Sequence, residues 1–363
     1  MKVKVELIKQ DENNPLARRM VIRKGSKEVI TPLRVISTKG KPQELMLKSE
    51  ELKQIVEIHR NLTPKSINRI LSSEKISSAT YFISNALRRI GHNSITFLIV
   101  EYHADWKLPS EQEIECILDL VNNPYIDFAV ILPKKIKVKD YITFMRNIAN
   151  MLWFKYPILI PVIPHLSLND ISHIIDALFR EDLVDTSVIC VDFNGGNPIS
   201  QEPKVSRVVR RIRIFEEERG EHTLLYALNL KYGKATKGEF VYPAQDILIL
   251  VMGFDLYGPN HRAAPLGKNP EYRPVRRIFN RRDYGYYMLT LSRSSMSAIL
   301  AYEIAEAEDI ISIRRVVRQP ELADMFNAEK QIKESMRISQ EILEDNSLNY
   351  CLPRNTWQRT PAY

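Results

Sequence analysis

Short apolar segments rich in β-branched residues recur along this chain, and four of the five intervals between them span roughly thirty residues. A continuous apolar run of four to eight residues is typical of a strand that is buried on both faces. About thirty residues is also the length of one strand followed by its crossover helix. The pattern therefore predicts six buried strands, at Phe97–Val100, Phe128–Leu132, Ile158–Ile163, Val188–Phe193, Leu224–Asn229 and Ile247–Met252.

Amphipathic segments with helical periodicity separate most of these strands. We expect helices at Glu111–Val121, Val138–Trp153, Leu168–Arg180 and Lys204–Arg219. Six strand–helix units imply an α/β fold. They favour a (β/α)8 TIM barrel if the N-terminal 95 residues supply the remaining strands. Such a barrel carries its functional site at the carboxyl ends of its strands.

The two ends of the chain add elements to this expected barrel. The first residues predict strands at Val3–Ile8, Arg19–Arg23 and Val29–Ile36, with a hairpin turn at Gly25-Ser26, and helices near 48–59 and 64–73. The sequence predicts a long loop over 257–285, helices over 288–309 and 320–344, and a polar tail over 345–363. The expected organisation is a barrel domain over 1–310 and a C-terminal helical extension over 311–363.

Composition narrows the class of protein. A hydrophobic content of 44% suffices for a large core, and the apolar runs are too short to cross a membrane. No apolar leader opens the chain, so we expect a cytoplasmic protein without a membrane partner. The three cysteines, Cys116, Cys190 and Cys351, are far apart and favour neither a disulfide scaffold nor a zinc site. No metal and no cofactor is predicted.

Basic residues outnumber acidic ones, 52 to 44, and their clustering is more informative than the net charge of +8. The densest cluster mixes arginines with aromatic residues. Guanidinium groups bind phosphates and aromatic rings stack on bases, so this mixture predicts contact with nucleic acid. A solvated surface held by ion pairs explains the cluster about equally well. The candidate nucleic-acid-binding residues are Arg273, Arg276, Arg277, Arg281, Arg282 and Tyr284.

Polar residues at the predicted strand ends are the candidates for chemistry. Asp192 closes an apolar strand, where a carboxylate is costly to bury unless it faces a ligand or a cation. Asn194, Gly195 and Gly196 follow directly, and the glycine pair either exposes N–H donors to a ligand or only forms a tight turn.

Other strand ends supply further candidates. Asp105 beside Trp106 could bind a planar heterocycle, although a helix-entry loop is the more common explanation. Asn229 and Lys231 close the fifth strand, while Asp255, His261 and Arg262 follow the sixth. Asp192, Asp255 and Asp105 are the candidate catalytic carboxylates. We expect Asp192, Asn229 and Asp255 to surround one hollow.

Four segments of the chain resemble the tRNA-guanine transglycosylases of the archaeosine and queuine superfamily, which exchange a guanine base in RNA for a deazaguanine. Arg19–Gly25 leading to Thr31-Pro32 is similar to the opening hairpin of that family, and Leu250–Gly258 is similar to its G-x-D-x-F-D segment. The segment from Pro109 to Leu132 and the Gly195-Gly196 turn also resemble segments of that family, in the same order along the chain. The resemblance spans roughly 18–340 and implies a TIM barrel that acts on or binds tRNA.

The chain departs from that family at the chemistry itself. The position of the family's nucleophilic aspartate is Gly258, and Pro161–His165 replaces the V-Q-G-G segment. The zinc-binding cysteine module has no counterpart, and Asp105 is only a positional candidate for the acid of the D-S-G-G loop. Base exchange needs a carboxylate at the anomeric carbon. The resemblance therefore implies a catalytically silent or reassigned relative.

Three functions remain open from the sequence. The first is a silent transglycosylase-like barrel that binds tRNA or DNA, as a partner of an active relative. The second is an active base-exchanging glycosyltransferase, or a glycosidase, that uses a relocated aspartate. The third is a structural scaffold subunit, with a second copy or a different protein as its partner.

Overall fold

The computed structural model of the chain describes residues 3–37, 49–72, 76–91, 93–103, 106–152, 157–234, 241–261, 276–289, 298–306 and 313–344. The strands are β1 (Lys4–Gln10), β2 (Arg18–Lys24), β3 (Lys27–Thr31), β4 (Leu33–Arg34), β5 (Ile36–Ser37), β6 (Ile55–Leu62), β7 (Ile95–His103), β8 (Phe128–Lys134), β9 (Ile158–Ile160), β10 (Val162–Ile163), β11 (Val188–Asp192), β12 (Leu224–Leu228), β13 (Val241–Pro243), β14 (Leu256–Tyr257), β15 (Arg276–Asn280) and β16 (Gly285–Leu289). The helices are α1 (Pro64–Ser72), α2 (Ile76–Leu87), α3 (Glu111–Val121), α4 (Val138–Met151), α5 (Leu168–Glu181), α6 (Glu202–Arg219), α7 (Ala298–Ala305), α8 (Ile313–Arg318) and α9 (Pro320–Leu343).

Two five-stranded sheets, in which all neighbouring strands are parallel, form the centre of this α/β fold. One has the order β5-β6-β7-β8-β9 and the other the order β10-β11-β12-β14-β4. The chain passes between the sheets at two places, because only Val35 separates β4 from β5 and only Pro161 separates β9 from β10. At the second passage Cys190 N donates to the Pro161 carbonyl at 2.9 Å.

The two parallel sheets share one apolar interior. Phe97 of β7 contacts Phe128 at a ring-centroid distance of 4.8 Å and Tyr226, from the other sheet, at 5.3 Å. The alternate residues of β7, Leu98 and Val100, belong to a second cluster that includes residues of the flanking helices. This alternation places both faces of the strands in apolar surroundings, which is why the strands read as continuous apolar runs.

Local sequence signals account for the helix boundaries. Ser110 accepts a hydrogen bond from Glu113 N, and the Glu113 side chain accepts one from Ser110 N, which is a complete capping box at the start of α3. Helix α6 ends at Gly220, whose φ of 66° is a left-handed conformation that glycine adopts without strain. The four helices predicted between the strands are confirmed, with small shifts of their ends.

One predicted helix and one predicted strand are wrong. The helix expected near 48–59 is a short 3-10 turn at Glu50–Leu52 followed by strand β6. The strand expected at Ile247–Met252 is a 3-10 helix over Ile247–Val251, and the strand lies at β14. A short apolar run fits a buried helix as well as a buried strand, so periodicity alone did not separate the two.

Smaller structures pack against the central sheets. Strands β1, β2 and β3 form an antiparallel sheet with the predicted turn at Gly25, whose φ is 63°. The segment expected as a loop over 257–285 contains strand β15, which pairs with β16, and β16 pairs in turn with β13 in a second antiparallel sheet. Helix α9 contributes Phe326 and Ile332 to the same apolar cluster as Val29 and Leu33. The domain boundary at 310–311 stays a prediction.

The polar tail at 345–363 lies outside the described residues. Among the helices that are described, none combines the length and the apolar character needed to cross a bilayer.

Candidate functional site

Buried polar side chains from both parallel sheets meet inside the fold. Strands that run parallel within a sheet bring their carboxyl ends to one edge, where loops place functional groups. Glu57 of β6 is hydrogen-bonded to His261, which follows β14, and also accepts a hydrogen bond from the Tyr226 hydroxyl of β12. A contact between the two sheets therefore lies at the centre of the candidate site.

Glu57 is the most buried acid of this group, with a relative exposure of 0%. Burial by itself raises the pKa of a carboxyl group. The charge and hydrogen bond of His261, together with the Tyr226 hydroxyl, outweigh that effect and hold the pKa of Glu57 below its ordinary value. Glu57 is thus an ionised carboxylate in an apolar interior, held by an imidazole and a phenol.

Two imidazole rings connect Glu57 to a second carboxylate. The rings of His59 and His261 stack at a centroid distance of 4.0 Å and an interplanar angle of 18°. His59 Nε2 lies 3.4 Å from Glu101 Oε2, and Glu101 also forms an ion pair with Lys134. Burial lowers the pKa of His59. The two acids, two histidines and one lysine form a continuous array, which we call the buried ionic array.

Glu101 is the second acid of the array, and its pKa is also lowered. Its burial raises the pKa, but the hydrogen bonds and charges of His59 and Lys134 lower it to about 2. His103 Nε2 lies 3.3 Å from the same carboxylate and is partly exposed. The array therefore reaches from the buried Glu57 to a solvent-accessible imidazole.

The structure brings together several of the residues that the sequence singled out. Asn229 Nδ2 donates to Asp192 Oδ1 at 2.8 Å, and Asn194 N donates to the same oxygen at 3.0 Å. His261 N donates to Asn229 Oδ1 at 3.2 Å. Asp192, Asn229 and His261 thus form one hydrogen-bonded group that adjoins the buried ionic array.

A buried lysine contacts the backbone of Asp192. Lys204 Nζ donates to the Asp192 carbonyl oxygen at 2.5 Å, and its ammonium lies 5.1 Å from the centre of the Phe193 ring. Burial lowers the pKa of Lys204 to about 8, although the charge of Asp192 acts in the opposite direction. This lysine, which the sequence reasoning did not select, fixes the end of β11.

Asp255 does not lie with Asp192 and Asn229, so the expectation of one hollow around these three residues is corrected. Asp255 precedes β14 and is therefore at the amino end of that strand. Arg18 Nε and Nη2 bind its two oxygens at 2.8 Å each, and Leu225 N donates to Oδ2 at 2.8 Å. Its carboxylate belongs to a buried ion pair that joins β2 to β14.

The glycine pair after β11 forms a turn whose amides are used within the fold. Gly195 N donates to the Asn229 carbonyl at 2.9 Å, and Gly196 N donates to the Phe193 carbonyl at 2.9 Å. Lys231 N completes the arrangement by donating to the Gly196 carbonyl at 3.0 Å. These contacts favour the tight-turn interpretation over that of amides exposed to a ligand.

Gly258 lies against the carboxylate of Glu57. A Cβ atom added at Gly258 would be 2.7 Å from the Tyr226 hydroxyl oxygen and 2.9 Å from Glu57 Oε2. Both of these side chains are fully buried. The structure therefore has no room for a side chain at this position.

We expect Gly258→Ala to lower the free energy of unfolding by about 1–3 kcal/mol, the usual cost of overpacking a core. Chemical denaturation measures this loss. The Tyr226→Phe background removes the nearer oxygen, so Gly258→Ala should cost less there in a double-mutant cycle. An equal cost in both backgrounds would contradict the steric explanation.

The arginine-rich segment forms the β15–β16 hairpin. Arg281 binds Glu303 at 2.9 Å and Glu306 at 3.3 Å, while the Arg282 guanidinium lies 5.5 Å from the Tyr302 ring. Arg276 is partly buried at the start of β15. Part of the cluster is therefore held by intramolecular ion pairs, as the alternative interpretation expected.

Two further residues of the hairpin have different surroundings. Tyr284 is 2% exposed and donates to Glu334, so its ring is not available to stack on a base. Arg277 is exposed, and its guanidinium lies 4.5 Å from the ring of Tyr232, in the loop that follows β12. The hairpin therefore adjoins the carboxyl-end loops through Tyr232.

The described residues of those loops carry a positive charge. Five exposed lysines and no aspartate or glutamate are found among these described residues. The residues are 63, 106–110, 135–137, 164–167, 193–201, 229–234 and 258–261. We call the five lysines the carboxyl-end lysines: Lys107, Lys135, Lys137, Lys231 and Lys234. Three other candidates, Asp105, Arg262 and Arg273, lie outside the described residues.

Backbone strain is concentrated in the same loops. Among the described residues, six non-glycine residues have positive φ, and four of them follow strands β7, β8, β11 and β12: Trp106, Lys135, Asn194 and Asn229. Asparagine tolerates this region, but tryptophan and lysine rarely adopt it. Strained residues cluster at binding and catalytic sites, where the surrounding structure enforces them.

The sequence reasoning missed Glu57, His59, Glu101 and Lys134. The sequence contains a signal for a strand here, because Glu57 and His59 alternate with the apolar residues Val56 and Ile58. The prediction of a helix over this segment concealed that alternation. Glu101 and His103 similarly alternate at the end of β7.

Two cavities lie elsewhere in the fold. One of about 660 Å³ includes Arg19, Glu51 and Gln340 in its wall, and one of about 730 Å³ includes Lys27, Arg88 and Tyr125. Both are away from the buried ionic array. In the second, Lys27 already binds Asp127 at 2.6 Å. The convergence of polar groups, rather than cavity volume, therefore identifies the candidate site.

The described residues contain no group of three or more His, Cys, Asp or Glu side chains arranged to hold a metal ion. Comparison with known protein families finds no match to this chain, and no curated protein matches it.

Proposed function

We propose that the two parallel sheets are halves of one eight-stranded β/α barrel. The pairing of β14 with β4, and the passage of the chain from sheet to sheet at Val35 and Pro161, support this. The shared apolar interior around Phe97 and Tyr226 supports it further. In such a barrel all carboxyl-end loops surround one opening, which would combine the buried ionic array with the carboxyl-end lysines.

The function that this geometry supports best is the binding of nucleic acid, either tRNA or DNA, at that opening. The observation that carries the proposal is the set of five exposed lysines in loops whose described residues include no carboxylate. A surface of one sign of charge attracts a polyanion and accelerates its association. Arg277, which contacts Tyr232 beside two of these lysines, would extend the interface onto the hairpin.

We further propose that the protein is a divergent transglycosylase-like barrel that does not perform the exchange reaction of those enzymes. Glu57 and Tyr226 occupy the space beside Gly258, where the resemblance aligns the nucleophile. A side chain at 258 would displace two fully buried groups. The protein would then act through binding, as the partner of an active relative or of a second copy of itself.

The test is the salt dependence of tRNA affinity. We expect binding at about 50 mM salt and a linear decrease of log K with log salt. Each lysine that neutralises a phosphate contributes about 0.7 to the magnitude of the slope for a single strand and about 0.9 for a duplex. Replacing Lys107, Lys135 and Lys137 together with glutamine should therefore lower the magnitude of the slope by about two to three. Filter binding or fluorescence anisotropy against salt concentration measures it.

The matched control replaces Arg88 and Arg89 with glutamine. Both are exposed and lie at the end of α2, on the side where strand β7 begins. Their loss should leave the slope unchanged. The absence of tRNA and DNA binding at about 50 mM salt would contradict the proposal, as would equal slopes for the lysine variant and the wild type.

A second candidate function is base exchange with a relocated carboxylate. One observation favours it: Asp192 lies at the carboxyl end of β11, in hydrogen-bonded contact with Asn229 and, through it, with His261. Incubation of tRNA with labelled guanine tests this. Incorporation that is lost in Asp192→Asn would support the second function over the first.

A further inference from the structure

An exposed tryptophan stands at the carboxyl-end loops without a role in the buried ionic array. Trp106 follows β7, and its relative exposure is 60%. A single exposed aromatic residue is common on protein surfaces, so the surroundings of Trp106 decide whether it can bind a partner. Its position among lysines decides which kind of partner fits it.

A hydrogen bond holds the backbone of Trp106 in a defined place. Trp106 N donates to the Lys135 carbonyl oxygen at 2.7 Å, which joins the loop after β7 to the loop after β8. Both residues adopt positive φ, 65° for Trp106 and 54° for Lys135. Two strained residues that are joined by a hydrogen bond form a fixed support rather than a loose loop.

Lysines lie near Trp106, and Asp105, which precedes it in the chain, lies outside the described residues. Lys107 is the next residue after Trp106 in the chain, and Lys135 and Lys137 lie in the loop to which the Trp106 backbone is bonded. All three are exposed. An aromatic face flanked by cations matches the chemistry of a single-stranded nucleic acid, in which a base stacks while the adjoining phosphates contact lysine. A duplex shows only the edges of its bases, and its faces are already stacked.

We propose that Trp106 is a stacking platform for an unpaired nucleobase, and that the loops after β7 and β8 therefore select single-stranded over duplex nucleic acid. This inference rests on the proposed binding of nucleic acid and specifies the form of its ligand. The lysines supply affinity that depends on salt. The indole supplies a contribution that is independent of salt and requires an accessible base face.

The experiment measures fluorescence anisotropy of a labelled twelve-nucleotide single strand and of its duplex. We expect the wild type to prefer the single strand. Stacking of one base contributes a factor of about 5 to 150 in affinity, so Trp106→Ala should weaken single-strand binding by that factor. The slope of affinity against salt should stay unchanged, and Trp106→Phe should retain most of the affinity. Quenching of tryptophan fluorescence by the strand should be lost in Trp106→Phe.

Tyr125 provides the matched control. It is an equally exposed aromatic residue, with a relative exposure of 70%, and it precedes β8 at the opposite end of the strands. Tyr125→Ala should leave both affinities unchanged, and thermal melting should show that every variant is folded.

The outcomes separate this inference from the function on which it rests. Equal affinity of the wild type and Trp106→Ala for the single strand would overturn the stacking platform, and equal binding of single strand and duplex would overturn the selectivity. Either result could occur while the carboxyl-end lysines still govern binding, and the proposed function would then stand. No binding of either ligand would overturn both.

Discussion

Replacement of Arg18 with methionine is expected to lower the free energy of unfolding by about 3–5 kcal/mol, the usual cost of removing one partner from a buried ion pair. Arg18 is 2% exposed and binds Asp255 through two hydrogen bonds of 2.8 Å and Glu216 through one of 2.9 Å. Methionine fills a similar volume but leaves the buried Asp255 carboxylate without its cation, whereas Glu216 keeps Arg213 at 2.7 Å. Guanidinium denaturation followed by circular dichroism measures the loss.

Arg23 provides the matched control for Arg18. It lies on the same strand, β2, and forms ion pairs with Glu6 and Glu28, but its side chain is 39% exposed. Exposed ion pairs contribute little because water and salt screen them. Arg23→Met should therefore cost much less than Arg18→Met. Similar losses for the two variants would contradict the assignment of Asp255 to a structural ion pair.

The second large effect concerns Glu101 and pH. Its pKa is about 2 in the folded protein, against an ordinary value of 4.5. A carboxyl group with a lowered pKa stabilises the fold above its ordinary pKa, and this stabilisation disappears as the pH falls toward the folded value. The contribution at neutral pH is therefore at most about 3 kcal/mol, and it should vanish between about pH 4.5 and pH 2.

Comparison of the wild type with Glu101→Gln isolates this contribution. The variant should be less stable at pH 7 because Lys134 loses its counter-charge, and the difference should shrink as the pH approaches 2. Unfolding curves at pH 7, 5, 4, 3 and 2 measure the trend. Glu115, which is exposed on α3, provides a control, since Glu115→Gln should not change the pH profile. A constant difference between wild type and Glu101→Gln at all pH values would contradict the prediction.

The strands that the sequence predicted correctly are those that contain an uninterrupted run of at least four apolar residues. In β7, β8 and β11 both faces contact apolar groups, so the run of apolar residues is itself the signal. Strand β6 lacks that signal because Glu57 and His59 interrupt it. Its apolar positions, such as Ile55, Ile58 and Leu62, also fit a helical spacing, and only pairing with β5 and β7 decides the outcome.

The same interruption explains what was missed at the candidate site. Asp192 and Asn229 stand at the ends of recognisable strands and were found by their position. Glu57 and His59 were not, because a polar residue in the middle of an unrecognised strand resembles the polar face of an amphipathic helix. The burial of Glu57 depends on His261, about two hundred positions away, and no local pattern reports such a contact.

The pairing of Leu33 with Leu256 has a consequence for biosynthesis. Strand β4 leaves the ribosome early, but the strand that lies beside it is translated only after most of the chain. Until then the backbone amides and carbonyls of β4 that pair with β14 have no partner and are open to intermolecular association. We therefore expect the nascent chain to depend on shielding, by a chaperone or by its own N-terminal hairpin, through most of its translation.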